Sequence, residues 1–219
     1  MKKIAIIVAG GKGLRMNSKT PKQFLLINKR PLLMYTLERF IDFDTIILVL
    51  PKQQIKKWSV LCKKYHFDIN HIIAEGGKSR FHSVKNGLRK VDNNSIVAIH
   101  DGVRPLVSKN IINNLLSKIK PGFGTIPILP IKDSIKKIEK KSSENINREY
   151  LYRIQTPQCF ISSDIKKSYA KRFSKNFTDD SSVFQSSLGK IKTIAGEEKN
   201  IKITTQEDVQ IASALLSLK

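Results

Sequence analysis

The stretch "IAIIVAGGKGLRMNSKTPKQFL", residues 4–25, decides the fold. A β-branched apolar run ends in a glycine turn, with Lys12, Arg15 and Lys22 close behind. An unbroken apolar run of this kind reads as a strand buried on both faces, over residues 2–9. Outward from it, further strand patterns lie at 45–51, 69–77, 95–102 and 123–130. Amphipathic helical patterns lie between them at 31–41, 53–65, 79–91 and 108–119, with Pro31 and Ser108 as starting residues. This alternation predicts an α/β fold, a mostly parallel sheet with helices on both faces. Ligands of such sheets gather at the carboxyl ends of the strands. Three of those ends join glycine to charge: "AGGKG", "EGGKSR" and "HDGVRP".

The rhythm breaks after Pro130. Residues 131–155 alternate apolar and polar side chains around "KKSSEN", which predicts a protruding two-stranded β-arm. A hairpin of that length is marginal alone in water, and packing against a second subunit would stabilise it. The chain then predicts helices over 162–173 and 178–188, strands over 190–196 and 200–205, and a last helix with Thr205 and Asp208 as an acidic capping box. No repeat or flexible linker interrupts it. The expectation is a single domain over residues 1–219 with an arm at about 131–155.

Totals narrow the function classes. A chain of 219 residues can bury a full core, and no apolar run approaches the roughly 20 residues of a membrane span. The opening "MKKIAIIVAGG" has too short an apolar part for a signal peptide, so the expected location is the cytoplasm. Cys62 and Cys159 are isolated, which indicates neither a disulfide framework nor a zinc site. His66 and His71, five apart, do not share a helix face as a ligand pair would. The net charge of +22 raises a nucleic-acid-binding alternative. Against it, 31 of the 40 cations are scattered lysines, and arginine is the residue suited to bidentate base reading.

The chemistry concentrates at the strand ends. The turn at Gly10, Gly11 and Gly13 can present backbone amides to phosphates, and nearby Arg15 and Lys22 can neutralise them. It is not a P-loop, because GxxxxGK[ST] is absent. Nor is it a dinucleotide fingerprint, because Met16 stands where the third glycine belongs. In "IHDGVRP", His100 reads as a packing residue, and Asp101 as a ligand for a divalent cation or for substrate. Gly76, Gly77, Arg80 and Ser83 form a second strand–helix junction that reads as a nucleotide-binding wall. "TDDSS" reads most simply as a helix start, with a site role as the alternative. Lys202, a cation in an apolar run, calls for an anion.

The ordered set "AGGKGLRM…TPKQFL", "GGKSRFHSVKNGL", "HDGVRPLVS", "RIQTPQCF", "TDDSS" and "NIKITTQEDVQIA" resembles 2-C-methyl-D-erythritol 4-phosphate cytidylyltransferases over the whole chain. The resemblance implies a Rossmann-like domain, a homodimer built through the arm, Mg²⁺ or another divalent cation, and transfer of CMP from CTP in non-mevalonate isoprenoid precursor synthesis. It implies Arg15, Lys22 and Lys202 as catalytic cations. Ala9, Gly10, Gly11, Gly13, Gly77, Arg80, Ser83 and Gly102 would then bind nucleotide. Asp101, Arg104 and Thr156 would meet substrate, with Asp101 also on the metal, while Ser134 and Arg148 would reach across from the partner's arm. The similar ribitol-5-phosphate cytidylyltransferases share "NIKITT" and "TPQ" and stand as the alternative acceptor class; Ser83-Val84 after Arg80 leans toward methylerythritol phosphate.

Overall fold

The computed structural model describes residues 1–10, 20–139, 142–187 and 189–218. Strand β1 (Lys2–Val8) leads to a short 3-10 turn (Lys22–Phe24), a two-residue ladder of β2 (Leu26–Ile27) with β3 (Arg30–Pro31), and α1 (Leu32–Glu38). Next come β4 (Thr45–Leu50), α2 (Lys52–Lys64), β5 (Ile72–Glu75), α3 (Arg80–Leu88), β6 (Ser95–Asp101), α4 (Lys109–Ser117) and β7 (Phe123–Pro130). A hairpin of β8 (Ile135–Glu139) and β9 (Ser142–Ile146) follows. The chain continues through β10 (Tyr152–Ile154), β11 (Gln158–Ile161), α5 (Ser162–Ala170), α6 (Asp180–Gln185), β12 (Lys190–Ala195) and α7 (Gln206–Ser217).

The main sheet has eight strands in the order β10-β7-β11-β6-β1-β4-β5, with β12 also on β7. β6, β1, β4 and β5 are mutually parallel, as are β7 and β12, whereas β10 and β11 run antiparallel to their neighbours. The alternation of side chains along a strand explains why β1 is apolar throughout. Ile4 and Ile6 pack on one face with Phe81, Val84 and Leu88 of α3 and with Ile165 of α5. Ala5 and Ile7 pack on the other with Leu33 and Leu37 of α1, Trp58 of α2 and Ile111 of α4. From β1 the chain builds outward to β4 and β5, then returns to β6 on β1's other side. That reversal opens a crevice at the carboxyl ends of β1 and β6, where open α/β sheets take their ligands.

The helix starts expected at Ser108 and Thr205 are present. Ser108 Oγ accepts from the Ile111 N–H, and Thr205 and Asp208 complete a reciprocal capping box. Two expectations need correction. Residues 200–205 form no strand, because β12 already pairs with β7. The segment instead crosses the strand ends, tied by the Ile203 N–H to the Val103 carbonyl and by Arg104 Nη1 to the Asn200 carbonyl. The arm is also shorter than 131–155, since Tyr152–Ile154 pair with Ile128–Pro130 in the main sheet. Among the described residues, β8 and β9 pair only with each other, and Ile138 is 71% exposed.

Candidate active site at the strand carboxyl ends

β6 carries Asp101 to the rim of the crevice, and three cations converge on it. Lys202 Nζ lies 2.9 Å and Arg104 Nε 3.4 Å from Oδ2, while Arg80 Nε lies 3.4 Å from Oδ1. Burial by itself would raise the Asp101 pKa, but Arg80, Lys202 and Arg104 outweigh it and hold the carboxyl well below the usual range. Asp101 is therefore a permanent anion inside a cationic ring. Beneath it His100 is fully buried. Its Nε2–H donates to the Arg104 carbonyl at 3.0 Å, which leaves Nδ1 to accept from Thr156 Oγ1 at 3.0 Å. Thr156 Oγ1 in turn accepts the Asp101 N–H at 3.1 Å. Burial pushes the His100 pKa down to about 4, so the ring is neutral and serves as scaffold.

The crevice forms a cavity of about 360 Å³ whose walls include Gly10, Lys22, Gly77, Arg80, Asp101 and Lys202. The Gly77 N–H donates to Ser83 Oγ at 3.0 Å, and that hydroxyl donates to the Ser79 carbonyl at 3.0 Å. A Cβ on Gly77 would stand 2.4 Å from His82 Cβ, so only glycine fits the junction. Gly102 is similarly constrained: its missing Cβ would lie 2.9 Å from Ala9 Cβ, which presses the β1 and β6 termini together. A second hollow of about 340 Å³, also bordered by Gly10 and Gly77, extends toward Pro51 and Gln54.

A profile of the family described as 2-C-methyl-D-erythritol 4-phosphate cytidylyltransferase matches residues 3–218. The chain belongs to this family. Cytidylyltransferases of that name from Azobacteroides pseudotrichonymphae and Bacteroides fragilis are 48% and 45% identical, over 98% of both chains in the first case and over 99% of this chain and 100% of the relative in the second. The crystal structure of 4-diphosphocytidyl-2C-methyl-D-erythritol synthase from Anaerococcus prevotii superposes with a TM-score of 0.80 at 35% identity, covering 99% of this chain and 96% of that one. These relatives favour neither the ribitol 5-phosphate nor the nucleic-acid alternative.

Within this cytidylyltransferase fold, Ala9, Gly10, Lys22, Gly77, Arg80, Ser83, Asp101 and Lys202 come together on one cavity. Gly102 and Arg104 stand directly behind Asp101, and Thr156 lies in the hydrogen-bonded layer beneath it. Ser134 and Arg148 sit on the exposed arm, away from the cavity of their own chain, and Arg148 donates to the Lys132 carbonyl. Gly11, Gly13 and Arg15 lie outside the described residues. Sequence reasoning missed Gln23, which is buried on the cavity wall and donates to the Ala9 carbonyl at 2.9 Å, tying the Lys22 turn to the end of β1. It read "TDDSS" first as a helix start and kept a site role as the alternative. Asp179 is indeed the N-cap, but Asp180 beside it is fully buried and forks Arg80 at 2.8 and 2.6 Å. A pair of acids, of which capping needs one, was the available signal.

Proposed function

We propose that the chain transfers the cytidylyl group of CTP to 2-C-methyl-D-erythritol 4-phosphate and releases pyrophosphate. The carrying observation is the cationic ring of Arg80, Arg104 and Lys202 around Asp101 at the switch-point crevice, with Lys22 on the same cavity. The acceptor is a phosphomonoester, already largely dianionic at neutral pH because its second pKa is about 6. One of its oxygens attacks the α-phosphorus of CTP, and the bond from that phosphorus to the bridging oxygen of the departing pyrophosphate breaks in line. No general base is needed. His100 is buried and neutral, and burial raises both thiols, Cys62 to about 11 and Cys159 further, so none of these serves as base or nucleophile.

The obstacle is instead repulsion between two anions, which positioned cations offset while they stabilise charge developing in transfer. Lys22 and Lys202 meet that need. Asp101 holds Lys202 at the cavity wall through the 2.9 Å ion pair, and the Gly10 and Gly77 turns bring backbone close to the nucleotide. A divalent cation such as Mg²⁺ belongs to this reading. Asp101 is the one carboxylate among the described lining residues, and no cluster of three or more His, Cys, Asp or Glu occurs among the described residues. Three cations already face the Asp101 oxygens, so the nucleotide's phosphates would supply most of the ligands of such a cation, with Asp101 beside them, and it would neutralise phosphate charge there.

The unsupported hairpin, with Ile138 and Tyr150 exposed, supports a homodimer in which Ser134 and Arg148 reach the acceptor phosphate from the partner subunit. A monomeric mass by light scattering would refute that arrangement. No helix among the described residues is long and apolar enough to cross a membrane. Two free cysteines and phosphorylated substrates suit the cytoplasm. The direct test is pyrophosphate release from CTP and Mg²⁺ with methylerythritol phosphate and ribitol phosphate offered in parallel. Turnover with the first alone is expected. Turnover with the second alone moves the enzyme to another acceptor, and silence with both refutes the assignment.

A further inference from the structure

Arg80 lines the cavity, yet its hydrogen-bonding capacity points largely away from it. Nη1 and Nη2 donate to the two oxygens of Asp180 at 2.8 and 2.6 Å, and Nε faces Asp101 Oδ1 at 3.4 Å. The guanidinium is thus stretched between two carboxylates, one in the helical layer and one at the crevice. Asp180 is fully buried and takes a third bond, from the Tyr169 hydroxyl to Oδ1 at 2.6 Å. Burial foremost, then Asp180, pushes the Tyr169 pKa up, which keeps that hydroxyl a donor.

Each member is itself held in place. Asp179 caps α6 by accepting the Ser182 N–H, and Gln158 of β11 both donates to Asp179 at 2.8 Å and accepts the Ser181 N–H at 2.8 Å. Asp180 therefore sits on a helix start locked to the main sheet. The Tyr169 ring stacks on Phe81, the neighbour of Arg80, with centroids 4.7 Å apart. Lys202 and Arg104 both approach Asp101 Oδ2, which leaves Oδ1 to Arg80 among the described residues.

Building on the transfer reaction proposed above, we propose that Tyr169 and Asp180 are positioning residues for it: from α5 and α6 they fix the Arg80 guanidinium so that it orients the Asp101 carboxylate. Arg80 then acts through Asp101 as a strut, with its fork committed to Asp180. An untethered Arg80 would rotate its fork onto Asp101 or onto the nucleotide's phosphates, and the Lys202–Asp101 geometry would loosen. Displacements of about 1 Å in such supports cost transfer rate more than they cost binding.

The test is a double-mutant cycle on the full chain, with Tyr169→Phe, which keeps the stacked ring, and Arg80→Lys, which keeps the charge but cannot make the fork. Pyrophosphate release from CTP and Mg²⁺ with methylerythritol phosphate reads the result. Tyr169→Phe is expected to lower kcat about three- to tenfold while KM for CTP moves less than about twofold. In the Arg80→Lys background the same change should alter kcat by less than about 1.5-fold, because the strut is already gone. Asp180→Asn should behave as Tyr169→Phe with a larger loss of kcat, and where it fails to fold the tyrosine cycle stands alone. An unchanged kcat in Tyr169→Phe, or equal losses in both backgrounds, overturns the proposal while wild-type turnover leaves the assigned reaction standing. A wild-type chain without turnover overturns the reaction and this inference together.

Discussion

The cavity beside the amino ends of β4 and β5 measures about 680 Å³, nearly twice the volume of the one at the strand carboxyl ends. Several of its polar groups already have partners. Arg30 pairs with Glu38 at 2.6 Å and lies over the Tyr35 and Phe67 rings, Asp44 accepts the Lys3 N–H, and His71 takes the Trp58 N–H. In the smaller cavity Arg80 and Lys202 on the wall and Arg104 behind it share the single carboxylate of Asp101, and Lys22 and Lys78 add two further positive charges. The surplus of positive charge, placed where the strand order reverses, marks a site for polyanions. Volume alone would have chosen the wrong end of the sheet.

The contrast can be broken most sharply at Lys22. Lys22→Ala should lower kcat by about 10²–10³-fold, the scale of losing one preorganised charge at a transferring group. Thermal unfolding should stay within a few degrees of wild type. A folded Lys22→Ala enzyme turning over normally would remove the functional distinction between the two cavities.

Acid should expose the scaffold under the carboxyl-end site. His100 titrates near 6.5 when unfolded and about 4 when folded, so the unfolded chain takes up its proton first as pH falls. The stability present above pH 6.5 is lost between 6.5 and 4, on the order of 3 kcal/mol. Asp101, with its folded pKa depressed, loses its contribution only below the ordinary carboxylate range, so the two windows separate. Melting temperatures measured from pH 7 to 4.5 should show the decline, and His100→Gln should flatten it. An equal slope in that variant would assign the effect elsewhere.

The smallest effect is expected at the larger cavity. Arg30→Met breaks a half-exposed pair worth at most about 1 kcal/mol and should change kcat/KM by less than about twofold. A loss comparable with that of Lys22→Ala would mean the two ends of the sheet are coupled.

The sequence by itself determined the alternation of main strands and helices as far as β7 and which strand ends bear chemistry. An apolar run flanked by amphipathic helices must be buried on both faces, and glycine beside charge at three strand ends tolerates few other readings. The order of motifs was enough to indicate the family. Only the tertiary structure decided which charges meet. Arg80 and Asp180 are a hundred positions apart, and no local pattern says that one will fork the other. Folding then gathers Arg80, Lys202 and Arg104 around Asp101, which makes it a fixed anion, while burial makes His100 a neutral support. The same holds for residues 200–205, whose alternation matches a strand although the available edge of β7 is taken by β12. Periodicity is a property of neighbouring residues, whereas pairing, desolvation and charge balance belong to groups that folding alone brings together.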